Sequence, residues 1–184
     1  MQRLNEVSWG EVAIAGAAGL ALGTWVHPST GLIGALAYGV LGWALVLIVI
    51  SDFRAFRIPD QLSLPLIPLG LVTAWWLTSE LFTDRVVAAV IGGAAFYGLN
   101  AAYRRLRGFD GLGMGDVKLT AAAGAWVGLE GLATVILLAC ISALASVVVF
   151  RPSLAKIPDA GRARLPFGSY ESLALLAMVL WQFQ

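Results

Sequence analysis

Cysteine, histidine and charge are scarce in this chain of 184 residues. It contains one cysteine, Cys140, and one histidine, His27, and only 12% of its residues are charged. A single cysteine excludes an intrachain disulfide and a CxxC metal site. The formal net charge of +1 creates no field that would attract nucleic acid. We therefore expect no nucleic-acid partner.

Apolar residues predominate in the sequence. They account for 59% of the sequence, and the mean hydropathy is +0.84. Soluble domains are usually about 45–50% apolar and about 25% charged. The first apolar run lacks a small-residue cleavage pattern, so we interpret it as a retained helix and not as a signal peptide. The composition predicts an all-α, polytopic membrane helix bundle, with residues 1–184 forming a single integral membrane domain.

Seven apolar segments are predicted along the chain. They cover residues 12–26, 32–50, 62–77, 86–103, 117–128, 132–150 and 165–181. Pro65 and Pro68 predict a kink in the third segment. The fifth segment has about a dozen residues, or roughly 18 Å of helix, too short for a hydrocarbon core about 30 Å thick. The loop before it is therefore expected to dip into the membrane, or the bilayer to be thin there.

Basic residues predict the orientation of the bundle. If the N-terminus is cytoplasmic and seven segments alternate, eleven of the twelve Lys and Arg residues are cytoplasmic and only Arg85 is outside. Tryptophans then lie near the outer ends of helices, as an interfacial belt would: Trp25, Trp75, Trp76, Trp126 and Trp181.

Two aspartates lie at the edges of apolar segments. Asp52 ends the second segment, and Asp116 begins the fifth, in the stretch Gly113-Met114-Gly115-Asp116-Val117-Lys118. A carboxylate in this position is costly and is a functional-site hypothesis by default. The predicted topology places both aspartates on the cytoplasmic side, where we expect them to form a pair.

A pair of carboxyl groups can hydrolyse a peptide bond without a metal or cofactor. Two close carboxylates share a proton, so that one activates water while the other protonates the carbonyl. His27 is predicted to lie on the opposite membrane face, which argues against Ser-His and Cys-His schemes. The same scarcity argues against zinc, because carboxylates alone suit harder ions. Which aspartate holds the shared proton stays open.

Each aspartate also has a simpler interpretation. Asp52 could be a headgroup-level charge that pairs with Arg54 or Arg57. Asp116 could be the N-cap of its helix, a common position for Asp. Considered singly, neither residue decides between the two interpretations.

The ordered set of motifs resembles the type IV prepilin peptidases, membrane aspartyl proteases of the GxGD class. Residues 113–119 resemble the GxGD-x-K-L signature of that family, and Asp52 is followed at residues 57–65 by its I/L-P-D/N-x-L-T-L-P element. The chain resembles two further elements of the family at Gly124-Ala125-Trp126-Val127-Gly128 and at Leu165-Pro166-Phe167-Gly168. A lone GxGD motif would be weak evidence for this family, but four of its elements in the same order are strong evidence.

The resemblance implies a function and a set of site residues. It implies an aspartic-type endopeptidase of the bacterial inner or archaeal plasma membrane, which cuts the short basic leader from prepilin or pseudopilin helices on the cytoplasmic side. Its partners would be that substrate helix and membrane lipid, and no cofactor or metal is expected. Asp52 and Asp116 would be catalytic. Eight residues would support the site: Gly113, Gly115, Lys118, Arg57, Pro59, Pro166, Phe167 and Gly168.

The sequence departs from the larger family members in two respects. Those members carry a cytoplasmic insert with paired CxxC motifs, associated with N-methylation of the new terminus. Because this chain has only Cys140, we expect a short form without methyltransferase activity, as in Flp/Tad-type or archaeal preflagellin systems. Glu171 stands where apolar residues are expected, and its role is open; Arg164 is a candidate partner.

Two other functions are weighed against the peptidase. Intramembrane carboxyls also relay protons in transporters, and a helix bundle could bind pilins without cutting them. The transporter interpretation is disfavoured because both aspartates are predicted at one face and no inverted repeat is visible. The scaffold interpretation is disfavoured because both aspartates are present. The oligomeric state is not predicted.

Overall fold

A computed structural model describes residues 8–108, 111–154 and 165–184. Five α-helices account for most of these residues: α1 Trp9–Ala55, α2 Asp60–Leu77, α3 Phe82–Arg107, α4 Met114–Leu154 and α5 Phe167–Gln182. A 3-10 turn at Ser79–Leu81 joins α2 to α3. The described ranges contain no strand, which confirms the all-α prediction.

Helix α1 folds back on itself at Gly31. The φ angle of Gly31 is 68°, in the left-handed region that glycine adopts without cost. Near the two ends of α1, Arg54 Nη1 donates a 2.9 Å hydrogen bond to Glu11 Oε2. Between them the two arms touch, since a Cβ added to Gly19 would lie 2.5 Å from the carbonyl oxygen of Gly39. α1 is therefore an antiparallel hairpin of two helical arms.

Helix α4 reverses in the same way at Gly128, where φ is 74°. Thr120 before the break and Leu132 after it both lie against Gly92 of α3. In a straight helix these two positions would be about 18 Å apart. The Asp84 carboxylate accepts a 3.1 Å hydrogen bond from the backbone N–H of Leu129 and so satisfies a donor that the reversal frees. The break falls where the sequence predicts the short fifth segment to end.

Trp126 lies in the packed core of the bundle. Its side chain is fully buried, and its indole N–H donates a 2.9 Å hydrogen bond to the backbone oxygen of Leu66. The ring meets Tyr38 edge to face, with centroids 5.0 Å apart. The prediction that Trp126 belongs to an interfacial belt is wrong, because its polar N–H finds a partner inside the bundle. The other four tryptophans named above are each more than half exposed.

Within the described part of the chain, three stretches are long and apolar enough to cross a membrane: Trp9–Ala55, Ser79–Arg107 and Met114–Val149. This is an integral membrane protein. Pro65 and Pro68 both lie inside α2, and the kink that they suggest stays a prediction. The count of seven crossings also stays a prediction.

The contact between α3 and α4 generates a stability prediction. A Cβ added to Gly124 would lie 2.5 Å from the carbonyl carbon of Ala88, and backbone atoms give way poorly. Because overpacking costs about 1–3 kcal/mol, Gly124→Ala should lower the free energy of unfolding by at least that amount. The measurement is the thermal unfolding midpoint of the purified protein in one detergent.

Gly98→Ala is the matched control, because nothing lies within 4 Å of a Cβ added there. Its effect should be neutral or stabilising by up to about 1 kcal/mol, the helix propensity gained from alanine. Equal destabilisation by the two substitutions would contradict the close packing of α3 on α4.

Candidate active site

Asp52 lies in the last turn of α1 and is held by α5. Its side chain is 5% exposed. Its Oδ2 atom accepts hydrogen bonds from the Ser169 backbone N–H at 2.7 Å and from the Ser169 hydroxyl at 3.0 Å. The suggested pairing with Arg54 does not occur, because Arg54 pairs with Glu11. The first turn of α5, and not a surface arginine, therefore orients Asp52.

Asp116 is the third residue of α4 and lies partly exposed. Its Oδ2 atom accepts a 3.0 Å hydrogen bond from the Gly113 N–H, and its own N–H donates to the Gly113 carbonyl at 3.1 Å. This is the half of a capping box in which the third helical residue reaches back to the N-cap. Asp116 thus stabilises the start of α4 from inside the helix, although it is not the N-cap residue itself. A Cβ on Gly113 would lie 2.9 Å from Asp116 Oδ2, so glycine keeps this turn tight.

Ile58 packs between two glycines that lie beside the aspartates. A Cβ added to Gly115, which precedes Asp116, would lie 2.7 Å from the Cβ of Ile58. A Cβ added to Gly168 would overlap the Cδ1 atom of Ile58 and lie 3.2 Å from Asp52 Oδ2. One side chain therefore touches a glycine beside each aspartate and brings the segments that carry Asp52 and Asp116 to one place.

Lys118 contacts neither aspartate. Its Nζ atom lies 2.7 Å from Asp60 Oδ1 and joins α4 to the first residue of α2. Asp60 is the first residue of α2 and not its N-cap, because Pro59 occupies the N-cap position. Arg57 is exposed, and its backbone oxygen accepts a 3.0 Å hydrogen bond from the Ser51 hydroxyl.

The remaining predicted residues form the entry to α5. Pro166 is the N-cap residue and Phe167 is the first helical residue. The Phe167 ring packs near Phe96 of α3, with centroids 6.1 Å apart. Gly168 follows and faces Ile58. These residues position the turn that carries Ser169.

The sequence interpretation missed Ser169 and Thr120 as parts of the site. Thr120 Oγ1 lies 2.9 Å from the backbone oxygen of Asp116 and 2.6 Å from Glu171 Oε1. Thr120 follows Asp116 by four residues on a helix, and this spacing could have predicted the contact. Arg164, the partner considered for Glu171, lies outside the described residues.

The comparisons with known proteins agree on one family. The type IV leader peptidase family matches residues 39–148, which include both aspartates. The chain belongs to this family. A prepilin leader peptidase/N-methyltransferase of Aeromonas salmonicida (strain A449) is 34% identical over 149 residues, covering 80% of this chain and 50% of that protein. Its counterpart from Pectobacterium carotovorum subsp. carotovorum is 37% identical over 132 residues, covering 72% of this chain and 46% of that protein.

The chain spans about half the length of the curated relatives that it matches. No solved structure matches it. The family match ends before α5, so Ser169 and Glu171 lie beyond it. The bonds of Ser169 to Asp52 and of Glu171 to Thr120 therefore involve residues outside the matched range.

A cavity of about 440 Å³ lies elsewhere in this leader peptidase family member, lined by residues that include Tyr38, Thr73, Arg85 and Gln182. Tyr38 precedes Asp52 by about 21 Å along its helical arm. The cavity therefore belongs to the opposite end of the bundle. Among the described residues, no group of three or more His, Cys, Asp and Glu could hold a metal ion.

The position of Ile58 generates a prediction about coupling. Gly168→Ala should destabilise the protein, and a second change, Ile58→Ala, should relieve it because alanine lacks the Cδ1 atom that the new methyl meets. The two changes should couple favourably by about 1 kcal/mol, within the 0.5–3 kcal/mol seen for residues in contact. A double-mutant cycle of unfolding free energies measures this coupling.

Gly115→Ala provides the matched comparison. Its methyl group would meet the Cβ atom of Ile58, which alanine retains. Ile58→Ala should therefore give Gly115→Ala little relief. Equal coupling in the two cycles would mean that Ile58 is not placed between the glycines as described.

Proposed function

We propose that this protein is an intramembrane aspartyl endopeptidase that removes the short basic leader from type IV prepilins or pilin-like precursors. One observation carries the proposal: Ile58 packs on Gly115, which precedes Asp116, and on Gly168, which lies beside Asp52. We infer that the two carboxyl groups, which are 64 positions apart in the sequence, share one site. Membership of the type IV leader peptidase family supports the same activity.

The proposed mechanism uses one proton shared by the two aspartates. The ionised carboxylate removes a proton from water as the water oxygen attacks the scissile carbonyl carbon, and the protonated partner gives its proton to the carbonyl oxygen. The resulting tetrahedral diol then collapses. Its C–N bond breaks as the nitrogen takes a proton from the carboxyl group that received one from water, while the other carboxylate removes a proton from a diol hydroxyl, whose oxygen becomes the new carbonyl oxygen. The pair thus returns to its singly protonated state. No covalent bond to the enzyme forms.

Hydrogen bonds leave the carboxyl groups available for this chemistry. The bonds from Ser169 and Gly113 all end on the Oδ2 atoms of the aspartates. Such bonds fix the orientation of each carboxyl group before substrate arrives, which is how supporting residues contribute to catalysis. We propose that Gly113 keeps the turn before Asp116 tight and that Gly115 and Gly168 let Ile58 pack closely beside the two aspartates.

The remaining predicted residues have indirect roles in this proposal. Lys118 would hold α4 against α2 through Asp60, and Pro59, Pro166 and Phe167 would set the starts of α2 and α5. Arg57 is exposed near Ile58 and would face the substrate backbone or lipid headgroups. The substrate itself would be a prepilin or pseudopilin helix whose apolar stem lies in the bilayer.

We propose that residues 1–184 act as one membrane domain with seven crossings and a cytoplasmic N-terminus and active site, in the plasma membrane. The reversals at Gly31 and Gly128 support this count, because each divides a long helix into two apolar arms. The bias of basic residues supports the orientation.

The orientation predicts which thiols are reached from outside. After replacement of the exposed Cys140 by Ser, Glu80→Cys should react with a membrane-impermeant maleimide added to intact cells, and Leu106→Cys should react only after permeabilisation. Glu80 and Leu106 lie at opposite ends of the apolar stretch Ser79–Arg107, and both are exposed. The opposite labelling pattern would reverse the topology.

The proposed activity predicts the effect of neutralising each aspartate. Asp52→Asn or Asp116→Asn should lower leader removal by about 10²–10⁴-fold, since each removes a proton donor or acceptor of the reaction. Mass spectrometry of products from prepilin-like peptides and purified protein measures the rate and the cut site. Glu130→Gln removes an exposed carboxylate from the same helix as Asp116 and should leave the rate unchanged.

The Asn variants also separate the alternative functions when binding and uptake are measured beside cleavage. Full cleavage by either Asn variant would refute the catalytic pair. Wild-type protein that binds prepilin without cutting it would favour the scaffold, and proton-coupled uptake into vesicles blocked by the Asn variants would favour transport. The product mass also tests our proposal that this chain, with its single cysteine, adds no methyl group to the new terminus.

A further inference from the structure

Glu171 is a buried acid that the proposed mechanism does not use. Its side chain is 0% exposed, and Thr120 Oγ1 lies 2.6 Å from its Oε1 atom. Its Oε2 atom and the adjacent Ser172 hydroxyl are buried and have no hydrogen-bond partner among the described residues. Burying a polar side chain in this way is costly, so its presence next to the aspartate pair calls for a physical reason.

Counting hydrogens favours a protonated Glu171. Thr120 Oγ1 carries one hydrogen but has two oxygen neighbours, Glu171 Oε1 at 2.6 Å and the Asp116 backbone oxygen at 2.9 Å. A carboxylate and a carbonyl both only accept hydrogen bonds. An ionised Glu171 would therefore compete with the Asp116 oxygen for one hydroxyl hydrogen, whereas a protonated Glu171 can donate to Thr120 and leave that hydrogen to Asp116.

The contacts of Glu171 favour the same state. Through Thr120 and the neighbouring Ser169 it is linked to two other acids, Asp116 and Asp52. Among the described residues, no lysine or arginine forms an ion pair or hydrogen bond with Glu171. A third anion at this place would therefore lack a cation to offset the cost of its burial.

The start of α5 also connects the two aspartates. Ser169 donates to Asp52, and Glu171, two residues later, reaches Asp116 through Thr120. α5 is thus bonded to the end of α1 and to the start of α4. Its position controls how far apart the two reactive carboxyl groups lie.

We propose that Glu171 is a positioning residue that works as a neutral acid: through Thr120 it fixes the backbone of Asp116 at the separation from Asp52 that peptide hydrolysis requires. The inference rests on the proposed function and adds a residue to the same site. Glu171 acts through Thr120 and does not itself exchange protons with the substrate.

Substitutions at Glu171 separate a hydrogen-bond donor from a packing residue and from a reactive acid. Glu171→Gln keeps a neutral donor of the same size, so kcat and KM should stay within about threefold of wild type. Glu171→Leu keeps the bulk but removes the donor, and kcat should fall by about 10–100-fold with KM little changed, because small misplacements of reacting groups cost this much. Leu173→Ala, at an exposed position of α5, is the control and should change neither.

Thr120 provides a second route to the same test. Thr120→Val removes the hydroxyl at constant shape and should lower kcat like Glu171→Leu, whereas Thr120→Ser should preserve it. The double variant Glu171→Leu/Thr120→Val should be no slower than the slower single variant, because both break one connection. Unfolding midpoints of all variants keep the comparison to folded protein, and if Glu171→Leu does not fold, the two Thr120 variants carry the test.

The pH profile tests the charge state directly. If Glu171 is neutral in the working enzyme, Glu171→Gln leaves the acid limb of kcat/KM where it is in wild type. An anionic Glu171 would disfavour ionisation of the aspartate pair, so its removal would move that limb to lower pH. A shifted limb, a Glu171→Gln variant as inactive as Asp116→Asn, or a fully active Glu171→Leu variant would each overturn the inference.

These outcomes differ from failure of the proposed function. That function fails if the wild-type protein does not cleave prepilin-like peptides or if the Asn variants still do. The Glu171 variants are therefore compared only after wild-type cleavage, and its loss in the Asn variants, have been observed in the same preparation. Given those two results, the outcomes above overturn the positioning role alone.

Discussion

Hydrogen bonds at the first turn of α5 hold two buried acidic side chains, Asp52 and Glu171. Asp52 takes both of its bonds from Ser169, and Glu171 is fully buried and bonds to Thr120. Among the described residues, neither carboxyl group forms an ion pair with a lysine or arginine. Because both groups are buried, the protein itself supplies their hydrogen-bond partners. Those partners are neutral hydroxyl and backbone N–H groups.

Glycines at helix contacts make this arrangement possible. In a membrane bundle the helices gain little from the hydrophobic effect and associate through close packing at small residues. Gly19 against Gly39 closes the α1 hairpin, and Gly124 brings α4 onto the backbone of α3. Glycine also allows close packing at the site, where Ile58 lies between Gly115 and Gly168. The close packing at glycines that stabilises the bundle therefore also occurs beside both aspartates.

Several features were predictable from the sequence. Apolar composition predicted a helical membrane protein, and glycines at 31 and 128 fall at the ends of predicted segments, where the structure places the reversals of α1 and α4. The motifs predicted the family, which the comparisons confirm. Trp126 was misplaced because hydropathy locates a tryptophan along a helix but does not say which side of the helix faces the core. The partners of Arg54 and Lys118 were also missed, since Glu11 and Asp60 are remote from them in the chain.

The sequence by itself determined the helical class, the membrane environment and the family, because these follow from local composition and from short motifs. Only the tertiary structure decided what surrounds Asp52 and Asp116: Ser169 on Asp52, Ile58 between the two glycines, and Thr120 linking Asp116 to Glu171. Each of these arrangements joins segments that are remote in the sequence. Their formation depends on how hairpins and glycine contacts orient whole helices, and no periodicity within a single segment encodes that orientation.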